Sequence, residues 1–282
     1  MPRKFKVAAA QVGAVHKWTP RTSTLKRLIG LLHSAHSQGA RLVVFPECAF
    51  TTFFPRYTMS EPPEIDAWFE HGDDPSESPN TKPLFDEARE LGVDIYVGYA
   101  ERTSDGTSYN SCVYYSGALG KVVSKYRKLH LPGTKDPFPE KDAVNQLEKR
   151  YFTPGDLGFR AFRAPDLVAG ALKKAGLGGK EAETTASVGK GDPVVGMMIC
   201  NDRRWPEAWR VLGLQGVELV LCGFNTNSYA PQLWGSRQEM TVEEADKESR
   251  FHHALTMQAN SYMNAFCRPS ILQGTDELRR TA

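Results

Sequence analysis

The chain has 282 residues, with 35 basic against 33 acidic side chains, a formal charge of +2 and 40% hydrophobic residues. That length can bury a large core as one domain, and so even a charge balance argues against a phosphate-backbone partner, so no nucleic-acid partner is expected. No window approaches the apolar length needed to cross a bilayer and mean hydropathy is −0.43, so a soluble protein with no membrane partner is expected.

The N-terminus opens with positive charge as a secretory signal does, but the apolar stretch behind it is short and interrupted by Gln11, so a buried strand over Phe5–Val12 is the better reading. Leu25, Leu28, Ile29, Leu32 and Ala35 recur at helical spacing and predict a helix over Thr22–Gln38, closed by Gly39. Ala40–Phe45 is a second, largely apolar strand, with Pro46-Glu47 at its carboxyl end. A Pro- and acid-rich loop over Ser60–Pro79 leads to a helix over Pro83–Leu91 and a strand over Val93–Tyr99. Tyr109–Tyr115 and Lys121–Tyr126 read as an antiparallel hairpin, with Lys128 just past its second strand. Residues 169–192, rich in Gly, Ala, Lys and Glu and without apolar periodicity, read as a surface insertion. Pro193–Ile199 is the next buried strand, and Pro206 suits the first turn of a helix through Gly213, which puts Cys200 at a strand-to-helix junction. A short strand over Leu219–Gly223 and a helix from about Val242 to Tyr262 complete a mixed α/β pattern.

The five cysteines, at 48, 112, 200, 222 and 267, form no compact framework and no CxxC pair, which fits reduced thiols in a cytoplasmic protein. Seven histidines show no metal-ligand spacing, since His252 and His253 are adjacent and face different parts of a helix surface, so no metal is expected.

Three residues can carry chemistry. A cysteine becomes nucleophilic where backbone N–H groups and cations favour the thiolate, and Cys200 follows a strand, precedes a helix and has Arg203 and Arg204 close by. For the other cysteines an inert core thiol is the plainer reading. Glu47 at the rim of a sheet can act as a general base or be an exposed strand-end charge. Lys128 can stabilise an oxyanion, or be one more cation of the solvated run Lys125-Tyr126-Arg127-Lys128.

Taken together the motifs Val44-Phe45-Pro46-Glu47, Lys125-Tyr126-Arg127-Lys128-Leu129-His130-Leu131-Pro132-Gly133 and Ile199-Cys200-Asn201-Asp202-Arg203 resemble, in order, those of the nitrilase superfamily of carbon-nitrogen hydrolases. The resemblance implies an α/β fold, the nitrilase-like αββα sandwich, and hydrolysis of non-peptide C–N bonds by Glu47 as base, Lys128 as oxyanion stabiliser and Cys200 as nucleophile, with no metal or organic cofactor. Longer runs, including Thr51–Arg56, Leu147–Phe152, Pro154–Phe159 and Cys200–Arg210, are similar to the N-carbamoyl-D-amino acid amidohydrolase branch. That similarity implies Glu148 as a second active-site carboxylate and Arg203, Arg204 and Asn225 around the substrate carboxylate. It also implies a backbone N–H of Asn201 at the oxyanion, His130 supporting the site through a hydrogen bond, a small N-carbamoyl or amide substrate, and a homo-oligomer. Guanidinium groups suit such a carboxylate, although Arg203 and Arg204 can equally pair with Asp202 or Glu207.

Two departures accompany the resemblance. Gln146 stands where the branch has a histidine, and beyond Asn264 the chain diverges from the strands and tail with which the family continues. The expected organisation is therefore a hydrolase domain over 1–264 and a divergent tail over 265–282, with the C-terminal strands missing. Rival readings are an amidase or ureidopropionase-type enzyme and a truncated, noncatalytic relative with an exposed sheet edge.

Overall fold

The computed structural model describes residues 4–140, 143–168, 191–225 and 240–266. Nine strands fall into two sheets among these residues. In the first sheet β1 (Lys6–Ala9), β2 (Ala40–Val44) and β4 (Asp94–Arg102) run parallel, and β5 (Ser108–Ser116) and β6 (Lys121–Arg127) continue it antiparallel, as the hairpin reading predicts. A two-residue strand, β3 (Glu70–His71), adds to the far end of β4. In the second sheet β7 (Ala161–Arg163) is antiparallel and β9 (Leu219–Gly223) parallel to β8 (Val194–Ile199).

Side-chain alternation along the strands assigns the layers. Val43, Phe45, Ile95, Val97 and Val113 face outward, where they pack with Leu28 and Leu32 of helix α1 (Arg21–Ser37) and with Leu84, Phe85 and Ala88 of α3 (Lys82–Leu91). Their neighbours Leu42, Val44, Tyr96, Cys112 and Tyr114 face inward and share one core with Val195, Met197 and Ile199 of β8. Tyr96 joins the sheets with its phenol, which donates to Met198 O at 3.0 Å and accepts from Gly223 N at 3.2 Å. Beyond the second sheet lies α5 (Pro206–Leu214), whose Leu212 sits over Gly196, where a Cβ would come within 2.8 Å of it. The order of layers is helix, sheet, sheet, helix, the sandwich expected.

Two short helices, α2 (Pro62–Asp66) and α4 (Glu148–Tyr151), and the short strands β3 and β7 were not anticipated. α2 and β3 correct the reading of Ser60–Pro79 as plain loop. The first strand is shorter than Phe5–Val12, although Ala10 N still bonds Val44 O at 2.9 Å. The long helix α6 (Val242–Met263) starts where Thr241 caps it, its hydroxyl accepting from Glu244 N at 3.2 Å while the Glu244 carboxylate takes the Thr241 N–H at 2.9 Å.

Most of the segment read as a surface insertion, residues 169–190, lies outside the described residues. Its last residue is not on the surface: Asp192 is fully buried and accepts from Asp166 N and Val168 N. The tail likewise lies outside them from 267 on, but Phe266 is buried against Trp209 of α5, with ring centroids 5.9 Å apart. The start of the divergent segment therefore belongs to the core.

Candidate active site

Glu47, Cys200 and Asn225 all lie just past the carboxyl ends of parallel strands (β2, β8 and β9), where open α/β sheets present chemistry. Two missing side chains let these ends converge. A Cβ on Gly98 of β4 would lie 2.7 Å from Glu47 Cα, and one on Gly223 of β9 would lie 2.6 Å from Phe45 O. The turn carrying Glu47 therefore settles against both sheets. Lys128 follows β6, and Glu148 opens α4.

The three charged groups meet in the interior. Lys128 Nζ lies 2.7 Å from Glu47 Oε1 and 2.8 and 2.7 Å from the two oxygens of Glu148, and all three side chains are buried. These contacts exclude the solvated-run reading of Lys128 and the exposed strand-end reading of Glu47. Ion pairs this deep seldom add net stability, because the desolvation of both partners offsets their attraction. Burial on its own would depress the Lys128 pKa, but Cys200, Glu148 and Glu47 together hold it well above the ordinary lysine value, so the ammonium persists. Burial pushes the Glu148 carboxyl up to about 7, and Glu47 adds to the rise while Lys128 opposes it. Near neutral pH this carboxylate is thus poised to take or release a proton.

Cys200 begins the turn that leaves β8, a 3-10 segment (Cys200–Arg204), with φ 46, a left-handed backbone uncommon for a side chain of its kind. Its Sγ lies 3.5 Å from Asn225 O and 3.8 Å from Arg203 Nη1. The expectation that nearby arginines favour the thiolate is only half met. Lys128 and Arg203 do lower the thiol pKa, but burial and the Glu47 carboxylate outweigh them and raise it to about 11. At rest the sulfur keeps its proton, and a base is needed to remove it.

The remaining predicted residues are drawn into the site in different ways. Asn225 donates Nδ2 to Glu47 O at 2.9 Å and its backbone N–H to Glu47 Oε2 at 3.3 Å, so it holds the base. His130 Nδ1 is 2.8 Å from Asp202 Oδ1, and Asn201 Nδ2 donates to His130 O at 3.1 Å, which ties the turns bearing Lys128 and Cys200 together. Asp202, considered above as a partner of Arg203, instead accepts from Tyr126 Oη, His130 N and Ile199 N. Arg203 is buried, with Nη1 on Cys200 O at 2.6 Å and Nε on His253 Nδ1 at 3.3 Å. Arg204 is exposed and, with Arg203, Glu248 and His253, lines a cavity of about 390 Å³ whose walls, among the described residues, do not include Cys200, Glu47 or Lys128. Gln146 donates to Glu148 Oε1 at 3.4 Å.

Sequence reasoning missed Asn110. Fully buried on β5, it donates Nδ2 to Glu47 Oε1 at 2.7 Å and to Glu148 Oε2 at 3.3 Å, bridging the two carboxylates. Its backbone carbonyl also accepts from Lys128 N at 2.8 Å. An asparagine inside a β-rich run is the one sequence signal that marks it, since an amide there needs buried partners. Among the described residues no group of three or more His, Cys, Asp or Glu could hold a metal ion, and no helix is long and apolar enough to cross a membrane.

A cysteine on a left-handed strand-end turn, near a carboxylate and an ammonium buried between the sheets of an α-β-β-α sandwich, is an arrangement that can support nucleophilic chemistry. Residues 6–268 match the carbon-nitrogen hydrolase family, and the chain belongs to that family. It is 36% identical over 203 residues to a nitrilase of Pyrococcus abyssi, covering 72% of this chain and 59% of that one. It is 27% identical over 262 residues to an N-carbamoylputrescine amidase of Solanum lycopersicum, covering 93% and 68%. A citrullinase of Francisella tularensis is 25% identical over 240 residues, covering 85% and 65%. The chain thus spans roughly three fifths to two thirds of the length of these relatives. Among solved structures, a carbon-nitrogen hydrolase from Helicobacter pylori superposes with a TM-score of 0.64 at 22% identity, covering 93% of this chain and 71% of that one. Saccharomyces cerevisiae Nit3, a member of the nitrilase superfamily, does so with 0.65 at 16%, covering 99% and 79%. These two likenesses establish the shared fold.

Proposed function

We propose that this chain hydrolyses the C–N bond of an N-carbamoyl amino acid through a covalent intermediate on Cys200. The observation that carries the reading is the buried ammonium of Lys128 held by both Glu47 and Glu148 beside the Cys200 turn. Glu47 Oε1 is taken by Lys128 and Asn110 at 2.7 Å each, whereas Oε2 carries only the longer 3.3 Å contact from Asn225 N among the described residues, so Oε2 is the oxygen assigned the thiol proton. The sulfur then attacks the carbamoyl carbon, and the oxyanion is stabilised by Lys128 and the backbone N–H of Asn201. The C–N bond breaks, the amine takes the proton from Glu47 and leaves as the amino acid, and an S-carbamoyl cysteine, a thioester, results. Water, activated by the same carboxylates, releases carbamic acid, which falls apart to carbon dioxide and ammonia and returns the thiol. The reaction as written needs no cofactor.

The ureido substrates in the names of two relatives, an N-carbamoylputrescine amidase and a citrullinase, support the carbamoyl half of this reading. Arg204, exposed four residues after Cys200, supports the carboxylate half as a guanidinium that stays open to solvent beside the nucleophile turn. A second reading, an amide or an N-carbamoyl amine as substrate, is favoured by Arg203, which uses Nη1 and Nε within the protein and so has fewer donors for a carboxylate. Ammonia release from N-carbamoyl-D- and L-amino acids, N-carbamoylputrescine and ω-amides, with Cys200→Ala as control, separates the two. Release from carbamoyl amino acids that disappears with the thiol supports the first reading. Release from the amine or amide substrates alone supports the second, and folded protein inert on all of them points to a noncatalytic relative.

A further inference from the structure

Arg203 reaches out of the nucleophile turn onto α6, an element that takes no part in the chemistry above. Its guanidinium carbon lies 4.5 Å from the centre of the Phe224 ring, just past the end of β9. The imidazole of His253 lies against the same ring, with centroids 5.0 Å apart, and its Nδ1 faces Arg203 Nε at 3.3 Å. Nε can only donate, so Nδ1 must be the unprotonated nitrogen and the ring neutral. From its other end Arg203 donates Nη1 to the carbonyl of Cys200 at 2.6 Å, the residue whose backbone is left-handed.

We propose that His253 is a positioning residue for the nucleophile turn: through its neutral Nδ1 it fixes Arg203, and Arg203 in turn holds the Cys200 carbonyl and keeps a positive charge near the thiol. The inference rests on the Cys200 reading of the site, but the contacts it invokes exist whatever the substrate. The surroundings favour the neutral imidazole. Arg203 and Arg204 face it from the turn, Phe224 from the strand end, and Glu248 and His252 of its own helix line the same cavity. His252 is occupied with Glu248 at 3.5 Å, leaving His253 to Arg203. Burial first, then the two guanidiniums, lowers the His253 pKa to about 4. The two adjacent histidines thus differ in role because one faces solvent and the other the turn.

The test uses the full chain and reads Cys200 directly, by mass-spectrometric iodoacetamide labelling of its peptide across pH, alongside ammonia release. His253→Leu should slow labelling at pH 8 on the order of tenfold, as expected if the thiol pKa rises by about one unit. His253→Asn, whose carbonyl oxygen can replace Nδ1 as acceptor, should recover most of that rate, and Arg203→Met should match His253→Leu with no further loss in the double variant. Equal labelling of His253→Leu and the unsubstituted protein, or no recovery in His253→Asn, overturns the proposal. Should His253→Leu not fold, the imidazole proton signals of the unsubstituted protein decide: a His253 resonance flat between pH 5 and 8 is expected, and one titrating near the ordinary histidine value refutes it. Labelling and resonance need no turnover, so a protein inert on every carbamoyl compound still tests His253.

Discussion

Asn110 shows how one uncharged side chain sets the behaviour of three charged ones. Lys128 and Asn110 both occupy Glu47 Oε1, while Oε2 carries the longer contact from Asn225 N, and the second Asn110 contact favours the charged form of Glu148. Activity of the proposed kind requires the buried carboxylates in their charged form, so it should fall as pH drops and Glu148, pushed up to about 7, takes up a proton. Asn110→Asp replaces the donor with a third carboxylate, which must raise the proton affinity of Glu148. The acid limb of kcat/KM is expected to move up by about one pH unit, with about a tenfold loss at pH 7. A pH–rate profile measures this, and an unmoved limb would remove Asn110 from the site. Neither the bridge nor the resting protonation of Cys200 was visible in the chain, where Glu47 and Asn110 are 63 residues apart.

Among the elements, β6 and β8 belong to different sheets, yet the residues that follow them must stay in register to within a hydrogen bond. Asp202 supplies that link. Fully buried, it accepts from Ile199 N at 3.0 Å on the nucleophile side and from Tyr126 Oη, His130 N and His130 Nδ1 at 2.9, 3.0 and 2.8 Å on the lysine side. Asp202→Asn keeps the shape but turns one acceptor into a donor and strands at least one N–H or O–H in the core. A loss of about 2–4 kcal/mol is expected, larger than for a surface substitution, together with reduced turnover. A urea melt of the variant that matches the parent would contradict this. The elements themselves were largely legible: apolar patterning and terminal signals located α1, α3, α5, α6 and every strand but the short β3 and β7, because each buries a face and the apolar pattern records it. The short α2, β3 and α4 carry too few residues for any period to show.

Across the whole molecule the buried carboxyls set how stability varies with pH. Burial raises Asp94 to about 6 and Glu148 to about 7. Each binds its proton more tightly folded than unfolded, so the stability it contributes is full below its unfolded value and is lost as pH rises through 6 to 7. Glu101 works the other way. Burial opposes its ionisation, but hydrogen bonds from Arg127, Lys125 and Ser111 hold it below the ordinary glutamate value, so its contribution is present above that value and lost in acid. The stability maximum is therefore expected at about pH 4–5, where Glu101 is already ionised and the two raised carboxyls still hold their protons in the folded state. Asp94→Asn should be more stable than the parent at pH 8 by on the order of 2 kcal/mol and should flatten the decline between about pH 4 and 6. Denaturant melts across pH check it, and a parent whose stability still climbs from pH 6 to 8 would sink the argument.

The family and the core of the candidate site could be read from residue order, because Glu47, Lys128 and Cys200 sit in short runs whose strand endings are written locally as apolar stretches closed by Pro, Leu-His or Asn-Asp. The environment of those residues is not local. Glu47 and Asn225, 178 positions apart, share a hydrogen bond because two glycines let strand ends approach to van der Waals contact. Whether Cys200 carries its proton, whether Arg203 is free, and which of two neighbouring histidines faces it depend on burial and on charges brought together from both sheets and α6. Those are properties of the packed interior, where water is excluded and the low dielectric makes each contact strong, and no stretch of chain contains them before it folds.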